Sequence, residues 1–442
     1  MLVTVVGAGP TGLYLAMVLA RRGHHVTVVD RDPGPQDDGS WPRRGVMQFH
    51  HPHAFRAQVV EALRAELPDV WDDLLAAGAD PVTRDGPDGA EQVLAVRCRR
   101  LTFERVLRAA AQREPDVAFL AGHVDEVCAD RGRATGVRVE GTVVEADLVV
   151  AACGRAGRLG REWRAAPRGG DCGIAYVSRQ HQLRPGADPG PMNSLLGQVS
   201  LYPGYQVIVF LHDDGVFSTL IARSSDDRTL AALRFPGVFE AASRAIPAIA
   251  EWTDPARSHP YTDVLPGGRL HNTYQGQLDD TGALPLPGLV FVGDAVCTTN
   301  PAVGRGITTS LLQARELLHL LDHDSDDLAG TTLAFDAWCA ENIAPWFEDH
   351  VYWDAEQARR WGGGDVDLTR PLPSDLIVAA TEADPSLFPL VGPYLGMRAL
   401  PASLDAARPR VHEIYASGWR PPVPEGPTRD ELAELVAAAT PS

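Results

Sequence analysis

The first 33 residues alternate between apolar runs and turn residues in an order that predicts a strand, a helix and a second strand. Residues 2–6 form an apolar run, residues 11–22 carry apolar positions at helical spacing, and a second apolar run at 26–29 ends in Asp30. This order is typical of a βαβ unit with two parallel strands. We therefore predict that the chain opens with such a unit.

The pattern changes twice after this unit. A segment rich in Pro, Gly and Asp at 33–44 predicts a loop. Short β-type runs between about 170 and 265 indicate an antiparallel sheet, with a helical interlude near 228–253. A β-type run at 288–292 then precedes a helix from about 306 to 321, which returns the chain to the first body. By the same criteria we predict strands near 118–119, 134–139 and 147–152, and helices near 54–77 and 101–113.

The C-terminal part of the chain has a helical pattern that becomes Pro-rich towards its end. Trp338, Trp346 and Trp353 follow one another at close to two helical turns. This spacing favours one helix face packed on the core over a substrate box.

Composition narrows the classes of partner. With 442 residues the chain exceeds one ordinary core, so we expect two domains or one large α/β body with an inserted substrate layer. The net charge of −18 disfavours nucleic acid and anionic membranes as partners.

All 40 basic residues are arginine, which excludes any mechanism that uses a lysine amine. Six cysteines without a CxxC pair, and no leader or spanning segment, predict free thiols in a cytoplasmic, bacterial protein.

The turn between the first strand and the first helix has the spacing G-x-G-x-x-G. In such a turn the glycines allow a tight bend, close approach of a pyrophosphate and close helix packing, and the helix N-terminus holds the phosphates. A carboxylate at the end of the second strand suits an adenosine ribose and disfavours a 2′-phosphate, so the site should prefer FAD or NAD over NADP. We assign to this site Gly7, Gly9, Pro10, Thr11 and Gly12, together with Asp30 and Arg31.

A second motif decides between FAD and NAD. The strand at 288–292 delivers Gly293 and Asp294, and a glycine-rich turn at 301–306 opens the next helix. The carboxylate suits a ribityl hydroxyl, and the amides of the turn suit the anionic edge of a flavin. An NAD enzyme has no need of this second site, so we predict FAD. The further residues assigned here are Pro301, Gly304, Gly306 and Ile307.

At these two motifs the sequence resembles the para-hydroxybenzoate-hydroxylase-like flavoprotein monooxygenases, over roughly residues 1–160 and 265–325. The resemblance implies that Arg44 reaches the flavin chain, that Arg100 opens the next helix and contacts the cofactor, and that the backbone of Val124 contacts adenine. It also implies an α/β fold with a Rossmann-like FAD-binding domain of the glutathione-reductase type, an antiparallel β-sheet substrate layer and a helical C-terminal region. The predicted boundaries are 1–165 and 266–330 for the discontinuous FAD-binding domain with a small β insertion near 79–97, 166–265 for the substrate-binding domain and 331–442 for the helical region.

One departure from the family pattern bears on the electron donor. Aromatic hydroxylases of this group usually carry an Asp-Gly pair after the strand at 147–152, where this chain has Ala152-Cys153-Gly154-Arg155. The segment is closer to the Thr-Gly-Arg version of epoxidase-like and reductase-dependent members. NAD(P)H is therefore expected as the electron donor, either directly or through a flavin reductase.

The resemblance implies a monooxygenase, in which a flavin C4a-hydroperoxide transfers one oxygen atom from O2 to a small organic substrate in secondary metabolism. Such chemistry depends on the cofactor, and no catalytic side chain is assigned. A reductase or dehydrogenase acting on C=C or C–N bonds and a non-catalytic redox sensor are the alternatives left open, whereas the absence of lysine argues against a flavin halogenase. Candidates for orienting the substrate are Tyr176, Arg179, Tyr202, Tyr205, His212 and Tyr274.

The histidine-rich run at 50–53 is the remaining cluster of chemical interest. His50, His51 and His53 have no suitably spaced carboxylate or cysteine, and Pro52 interrupts the helical spacing of two ligands. We predict no metal site here. A structural histidine and a histidine beside Gln48 that lines the access path to the flavin are both compatible with the pattern.

Overall fold

The computed structural model describes residues 1–38, 40–43, 45–86, 89 and 91–440. In chain order the strands are β1 (Leu2–Val6), β2 (His25–Asp30), β3 (Phe55–Arg56), β4 (Asp80–Asp85), β5 (Glu91–Arg97), β6 (Val117–Ala121), β7 (Val124–Asp130), β8 (Arg133–Val139), β9 (Thr142–Glu145), β10 (Leu148–Ala151), β11 (Arg168–Asp171), β12 (Ile174–Leu183), β13 (Gly197–Tyr202), β14 (Tyr205–Leu211), β15 (Val216–Ser224), β16 (Ser258–Pro260), β17 (Leu265–Gly267), β18 (His271–Tyr274), β19 (Leu289–Phe291) and β20 (Cys297–Thr298). The α-helices are α1 (Pro10–Arg21), α2 (Ala57–Glu66), α3 (Pro68–Ala76), α4 (Arg100–Arg113), α5 (Pro236–Ala245), α6 (Pro247–Ala250), α7 (Gly306–His323), α8 (Leu328–Asn342), α9 (Ala344–Trp361), α10 (Ser374–Ala379), α11 (Phe388–Leu395), α12 (Arg408–Ala416) and α13 (Arg429–Ala439).

A five-stranded parallel sheet in the order β19-β10-β1-β2-β6 forms the first layer. Its central strands are buried on both faces and are rich in valine, as expected where helices cover a parallel sheet. Because all five strands run the same way, β1, β2 and β19 end at one edge. The predicted βαβ unit and the Rossmann-like body are confirmed.

A six-stranded antiparallel sheet follows, in which β13, β14, β15, β12 and β16 pair in that order and β17 joins β12. One face carries residues such as Val207 and Ile221, which pack with α5 and α13 around a second core. The other face carries Tyr176, Ile208 and Leu220. The predicted antiparallel layer is confirmed, and its second face is the one on which Tyr176 lies.

Two predicted helical features are corrected by the structure. The predicted helix at 54–77 is a short strand followed by α2 and α3, because Pro68 has no N–H to continue α2 and instead begins α3. Trp338 lies on α8, whereas Trp346 and Trp353 lie on α9, so the three tryptophans do not share one helix. The domain boundaries given above stay a prediction.

Three smaller sheets complete the β structure: β3-β5-β4, β7-β8-β9 and β11-β18-β20. The first contains the β insertion expected near 79–97. Within the described part of the chain, none of the helices combines the length and the apolar character needed to cross a lipid bilayer.

Buried histidines make the stability of this fold sensitive to mild acid. Burial lowers the pKa of His51, His181 and His212 to about 4, against about 6.5 in an unfolded chain. Below pH 6.5 the unfolded chain therefore binds protons that the native protein does not bind, and stability is lost as the pH falls from about 6.5 towards about 4.

We expect the free energy of unfolding to fall by about 1 kcal/mol per pH unit for each of these histidines over that range. Urea unfolding at pH 7.5 and pH 5.5 measures the slope. His181→Gln should make it shallower, and His25→Gln at an exposed histidine should not. Equal stability of the wild-type protein at both pH values would contradict the expectation.

Candidate active site: the cleft at the sheet edge

A cleft of about 650 Å³ opens at the edge where β1, β2 and β19 end. It passes from the first βα turn, along the end of β2, to the turn before α7 and on to the antiparallel sheet. The lining residues that the later argument uses are Gly9, Asp30, Arg100, Asp294, Tyr176 and His51. An elongated cleft with a helix N-terminus at each of two glycine turns suits a dinucleotide that carries a second ring system.

The first turn leaves room for a phosphate. A side chain at Gly9 would meet nothing within 4 Å, whereas one at Gly12 would lie 1.9 Å from the carbonyl oxygen of Gly7. Gly12 therefore brings α1 against β1, and Gly9 keeps the cleft open in front of the helix. Helix α1 has no acidic residue in its first turn and no side chain capping its amides. These amides are free to bind an anion.

One wall of the cleft, beside this turn, is a row of side chains with alternating charges. The fully buried carboxylate of Glu104 accepts hydrogen bonds from Arg43 Nε at 2.9 Å and from Arg100 Nε at 2.5 Å. Arg43 Nη1 lies 3.7 Å from the carboxylates of both Asp30 and Asp32. Burial alone would lower the pKa of Arg43, but the charges of Glu104, Asp30 and Asp32 outweigh it and raise the pKa. Each member of this row therefore has an opposite charge beside it.

Asp30, the predicted ribose-binding acid, is held in place by two backbone amides. Asp30 accepts a hydrogen bond from the amide of Ala8 at 2.7 Å through one oxygen and from the amide of Asp32 at 2.8 Å through the other. Each carboxylate oxygen can accept a further hydrogen bond. Asp30 can therefore bind ribose hydroxyls without giving up its backbone contacts.

The antiparallel sheet fixes the start of α4, and with it Arg100. Asp213, fully buried after β14, accepts hydrogen bonds from Arg99 Nε at 2.8 Å and from Thr102 Oγ1 at 2.6 Å. Burial raises the pKa of Asp213, but the bonds from Arg99 and Thr102 outweigh it and lower the pKa. The ionised carboxylate thus ties the second sheet to the helix that presents Arg100 to the cleft.

The second predicted motif meets the first inside the protein. A side chain at Gly293 would come within 3.2 Å of Thr11 Oγ1, so the Gly293-Asp294 pair lies beside the first glycine turn. Asp294 follows Gly293 and lines the cleft. Burial raises the pKa of its carboxyl, while the charges of Arg100 and Arg155 act in the opposite direction. A carboxyl at this depth suits a ribityl hydroxyl, which can pair with it in either protonation state.

The far end of the cleft is closed by the antiparallel sheet. Tyr176 and Ser178 lie on one face of β12, and the ring of His51 stands edge-on to the Tyr176 ring, with their centroids 4.9 Å apart. His51 Nδ1 is 2.7 Å from Ser178 Oγ. Burial raises the pKa of the Tyr176 phenol to about 12, against a hydrogen bond with Gln48. This end therefore offers a neutral hydroxyl and a neutral imidazole.

Most predicted cofactor residues meet at the cleft. Those that line it are Gly7, Gly9, Pro10, Thr11, Asp30, Arg31, Arg100, Asp294, Pro301, Gly304, Gly306 and Ile307. Gly12 and Gly293 lie behind this surface, Val124 is half-buried in a separate sheet and does not line the cleft, and Arg44 lies outside the described residues. The role of each residue towards the cofactor stays a prediction.

Of the six residues suggested for substrate orientation, only Tyr176 lines the cleft. Tyr202 and Tyr205 stack on each other and bond to carbonyl oxygens of the C-terminal segment. The other three are held by contacts elsewhere: Arg179 with Glu240, His212 with Ser218 and Tyr274 in the first core.

Sequence reasoning missed Arg43, the arginine in the row of alternating charges. Arg43 lies next to the predicted Arg44, and nothing local in the sequence distinguishes the two. It also missed Trp41, Ser310 and His271 as lining residues. Among the described residues, no group of three His, Cys, Asp or Glu side chains could hold a metal ion.

Comparison with known proteins identifies proteins that are similar to this chain in sequence. Residues 3–87 match the family model described as FAD dependent oxidoreductase. Protein Rv3254 of Mycobacterium tuberculosis is 27% identical over 439 residues, which cover 87% of this chain and 86% of that protein. Kynurenine 3-monooxygenase of Salinispora arenicola is 27% identical over 253 residues, which cover 53% of this chain and 54% of that enzyme.

Solved structures share the fold. A triple mutant of the flavin-dependent brominase Bmp2 superposes with a TM-score of 0.63 at 14% identity, covering 94% of this chain and 99% of that one. Other structures with this fold are pqsL of Pseudomonas aeruginosa, described as a probable FAD-dependent monooxygenase, a 2-methyl-3-hydroxypyridine-5-carboxylic acid oxygenase and the myxobacterial halogenase CndH. The fold predicted from the resemblance is thereby confirmed, and the residues of the cleft fit FAD.

Substitution of two glycines separates cofactor binding from folding. Gly9→Ala places a methyl group in the open cleft, so we expect FAD to bind about tenfold or more weakly, about 1.4 kcal/mol, while the apoprotein keeps its stability. Gly237→Ala, at a glycine of α5 with equally open surroundings, should leave FAD affinity unchanged. Titration of the apoproteins with FAD, followed by flavin fluorescence, gives the affinities. Equal affinities for all three proteins would show that no phosphate approaches Gly9.

Proposed function

The chain is an FAD-dependent oxidoreductase, and we propose that it is a monooxygenase that transfers one oxygen atom of O2 to a small organic substrate. Hydroxylation and epoxidation are the reactions proposed, in the tailoring of a secondary metabolite. The observation that carries the proposal is the end of the cleft at Tyr176 and His51, where the second sheet closes the site with uncharged polar groups. The sequence relationship to a kynurenine 3-monooxygenase supports it.

Bound FAD would supply the reaction with oxygen, and the side chains would control binding and access. In the overall reaction one oxygen atom enters the substrate, the other leaves as water, and NAD(P)H supplies two electrons. Buried Tyr176 can donate a hydrogen bond to a substrate oxygen while it remains protonated, because burial raises the pKa of the phenol to about 12. The sheet behind it, with Ile208 and Leu220, excludes water from this end.

The electron route that we propose passes through a separate flavin reductase. The segment after β10 has Cys153 where aromatic hydroxylases of the resembling group carry an aspartate. Burial raises the pKa of the Cys153 thiol to about 12, so the side chain is neutral and cannot replace a carboxylate. Anaerobic mixing with NADH or NADPH, alone and then with an added reductase, tests this route.

Two other functions predict different results. A reductase or dehydrogenase would use both FAD motifs but would not consume oxygen in proportion to substrate. A halogenase shares the fold, yet the absence of lysine from the chain removes the amine on which the flavin halogenases resembling this group depend. Oxygen uptake that rises with an added phenol or alkene, with one product per O2, supports a monooxygenase. Substrate turnover under nitrogen would contradict the monooxygenase function and support a reductase or dehydrogenase instead.

Tyr176→Phe tests the substrate end, because the phenyl ring keeps its packing against His51 and loses only the hydroxyl. For a compound that accelerates oxygen uptake by the wild-type protein, we expect KM to rise about tenfold, the cost of one lost hydrogen bond to a substrate, while FAD still binds. Tyr205→Phe is the control, since its hydroxyl bonds to the carbonyl of Pro427 at 2.6 Å. Equal KM values for both variants would remove Tyr176 from the substrate site.

A further inference from the structure

The turn at residues 300–306, here called the flavin turn, leads into α7. Pro301, Gly304 and Gly306 line the cleft, and α7 begins at Gly306. Arg305 does not line the cleft, although it lies between two glycines that do. It is 2% exposed, and its side chain points into the C-terminal helical region.

Arg305 is enclosed by groups from α9 and α11. Its Nη1 lies 2.8 Å from Asp349 Oδ2, and its Nη2 donates to Tyr394 Oη at 2.5 Å. Trp346, Tyr394 and Trp353 place their rings 4.7, 4.8 and 5.8 Å from the guanidinium carbon. Tyr394 in turn donates to Asp349 Oδ2 at 2.6 Å. A planar cation bonded at two nitrogens and stacked on aromatic rings is held in a single orientation.

The other end of the flavin turn is held by the same helix. Asp354, on α9 with Asp349, accepts hydrogen bonds from Asn300 Nδ2 at 2.8 Å and from Asn272 Nδ2 at 2.7 Å. Asn272 also accepts the backbone amide of Asn300 at 2.7 Å. The carboxylates of Asp354 and Asp349 on α9 therefore hold residues 300 and 305, near the two ends of the flavin turn.

A third contact supports the middle of the turn. Arg56 donates to the carbonyl of Val303 at 3.1 Å and to the carbonyl of Leu395 at the end of α11 at 2.7 Å. His350, fully buried on α9, adds no competing charge, since burial and the nearby Arg305 hold its pKa well below the usual range. Gly304 packs against Ala54, where an added side chain would come within 2.8 Å. The turn is thus fixed from three sides.

We propose that Asp349 and Asp354 of α9 set the position of the flavin turn through Arg305 and Asn300, which act as positioning residues for the bound FAD. The C-terminal helical region is then part of the cofactor site. A shift of the turn moves the amides that face the flavin, so it changes both the affinity for FAD and the redox potential of the bound flavin. The proposal rests on FAD binding and not on the monooxygenase reaction.

The test compares two ion pairs on one helix. Arg305→Met removes the contact between α9 and the flavin turn. Arg360→Met, the control, removes the partly buried pair of Arg360 with Asp375, which joins α9 to α10 and, among the described residues, forms no hydrogen bond or ion pair with the turn. Apoprotein melting temperature, FAD dissociation constant and midpoint potential of the bound flavin are measured for both variants.

We expect both variants to melt at lower temperature, and only Arg305→Met to bind FAD about tenfold or more weakly and to shift the flavin potential. Arg305→Lys should be intermediate, because lysine keeps the charge but cannot bond to Asp349 and Tyr394 in one plane. If Arg305→Met does not fold, Tyr394→Phe removes a single hydroxyl from the same cluster, and a shifted potential is again expected. Unchanged affinity and potential, or equal changes in Arg360→Met, would overturn the proposal. If the wild-type protein itself failed to bind FAD, the cofactor assignment would fail instead.

Discussion

The parallel pairing of β1 with β2 on one side and β10 on the other is the constraint on which the site depends. Parallel strands end at a common edge, so Asp30 at the end of β2, the amides of α1 after β1 and Asp294 after β19 meet in one cleft although the two acids are 264 positions apart in the chain. Close contact between Gly12 and Gly7 then sets how near α1 approaches this edge. A larger residue at position 12 would push the helix N-terminus away from the phosphate position, and no side chain elsewhere could restore it.

The buried charges of the cleft lie beside opposite charges, which offset the free energy cost of removing each from water. Glu104 alone would be an expensive buried anion, and Arg43 alone an expensive buried cation. Placed between Asp30, Asp32 and Arg100, each has an opposite charge beside it, and the row of alternating charges becomes a rigid wall. Asp213 extends this wall into the second sheet through Arg99. The antiparallel sheet therefore also positions Arg100 at the cleft.

The parts of the site that depend on local sequence could be predicted, and those that depend on tertiary contacts could not. The first turn, Asp30 and Asp294 are marked by glycine spacing and by acids at strand ends, and all three contribute residues to the cleft, while their roles stay predictions. Only the tertiary structure shows which of the six suggested side chains lines the cleft. Identifying Tyr176 required the register of β12 and the position of the loop that carries His51. Pro68 marks the boundary between α2 and α3, but the helical pattern on both sides of it predicted a single helix. The role suggested for α9 needs Asp349 to meet Arg305, 44 residues earlier, and no spacing rule indicates such a contact.

Burial sets the protonation state of several groups that line the cleft. The chain has no lysine, so the long basic side chains of the cleft are all arginines. Burial keeps His51 and His53 uncharged by lowering the pKa of each ring, and it keeps the Tyr176 phenol and the Cys153 thiol protonated by raising the pKa of each to about 12. Near neutral pH these four side chains therefore add no charge to the cleft. Asp294 differs from them, because burial raises the pKa of its carboxyl while Arg100 and Arg155 oppose the rise. The surroundings of Asp294 therefore favour the neutral carboxyl more than water does, and they link the field at the predicted ribityl position to pH.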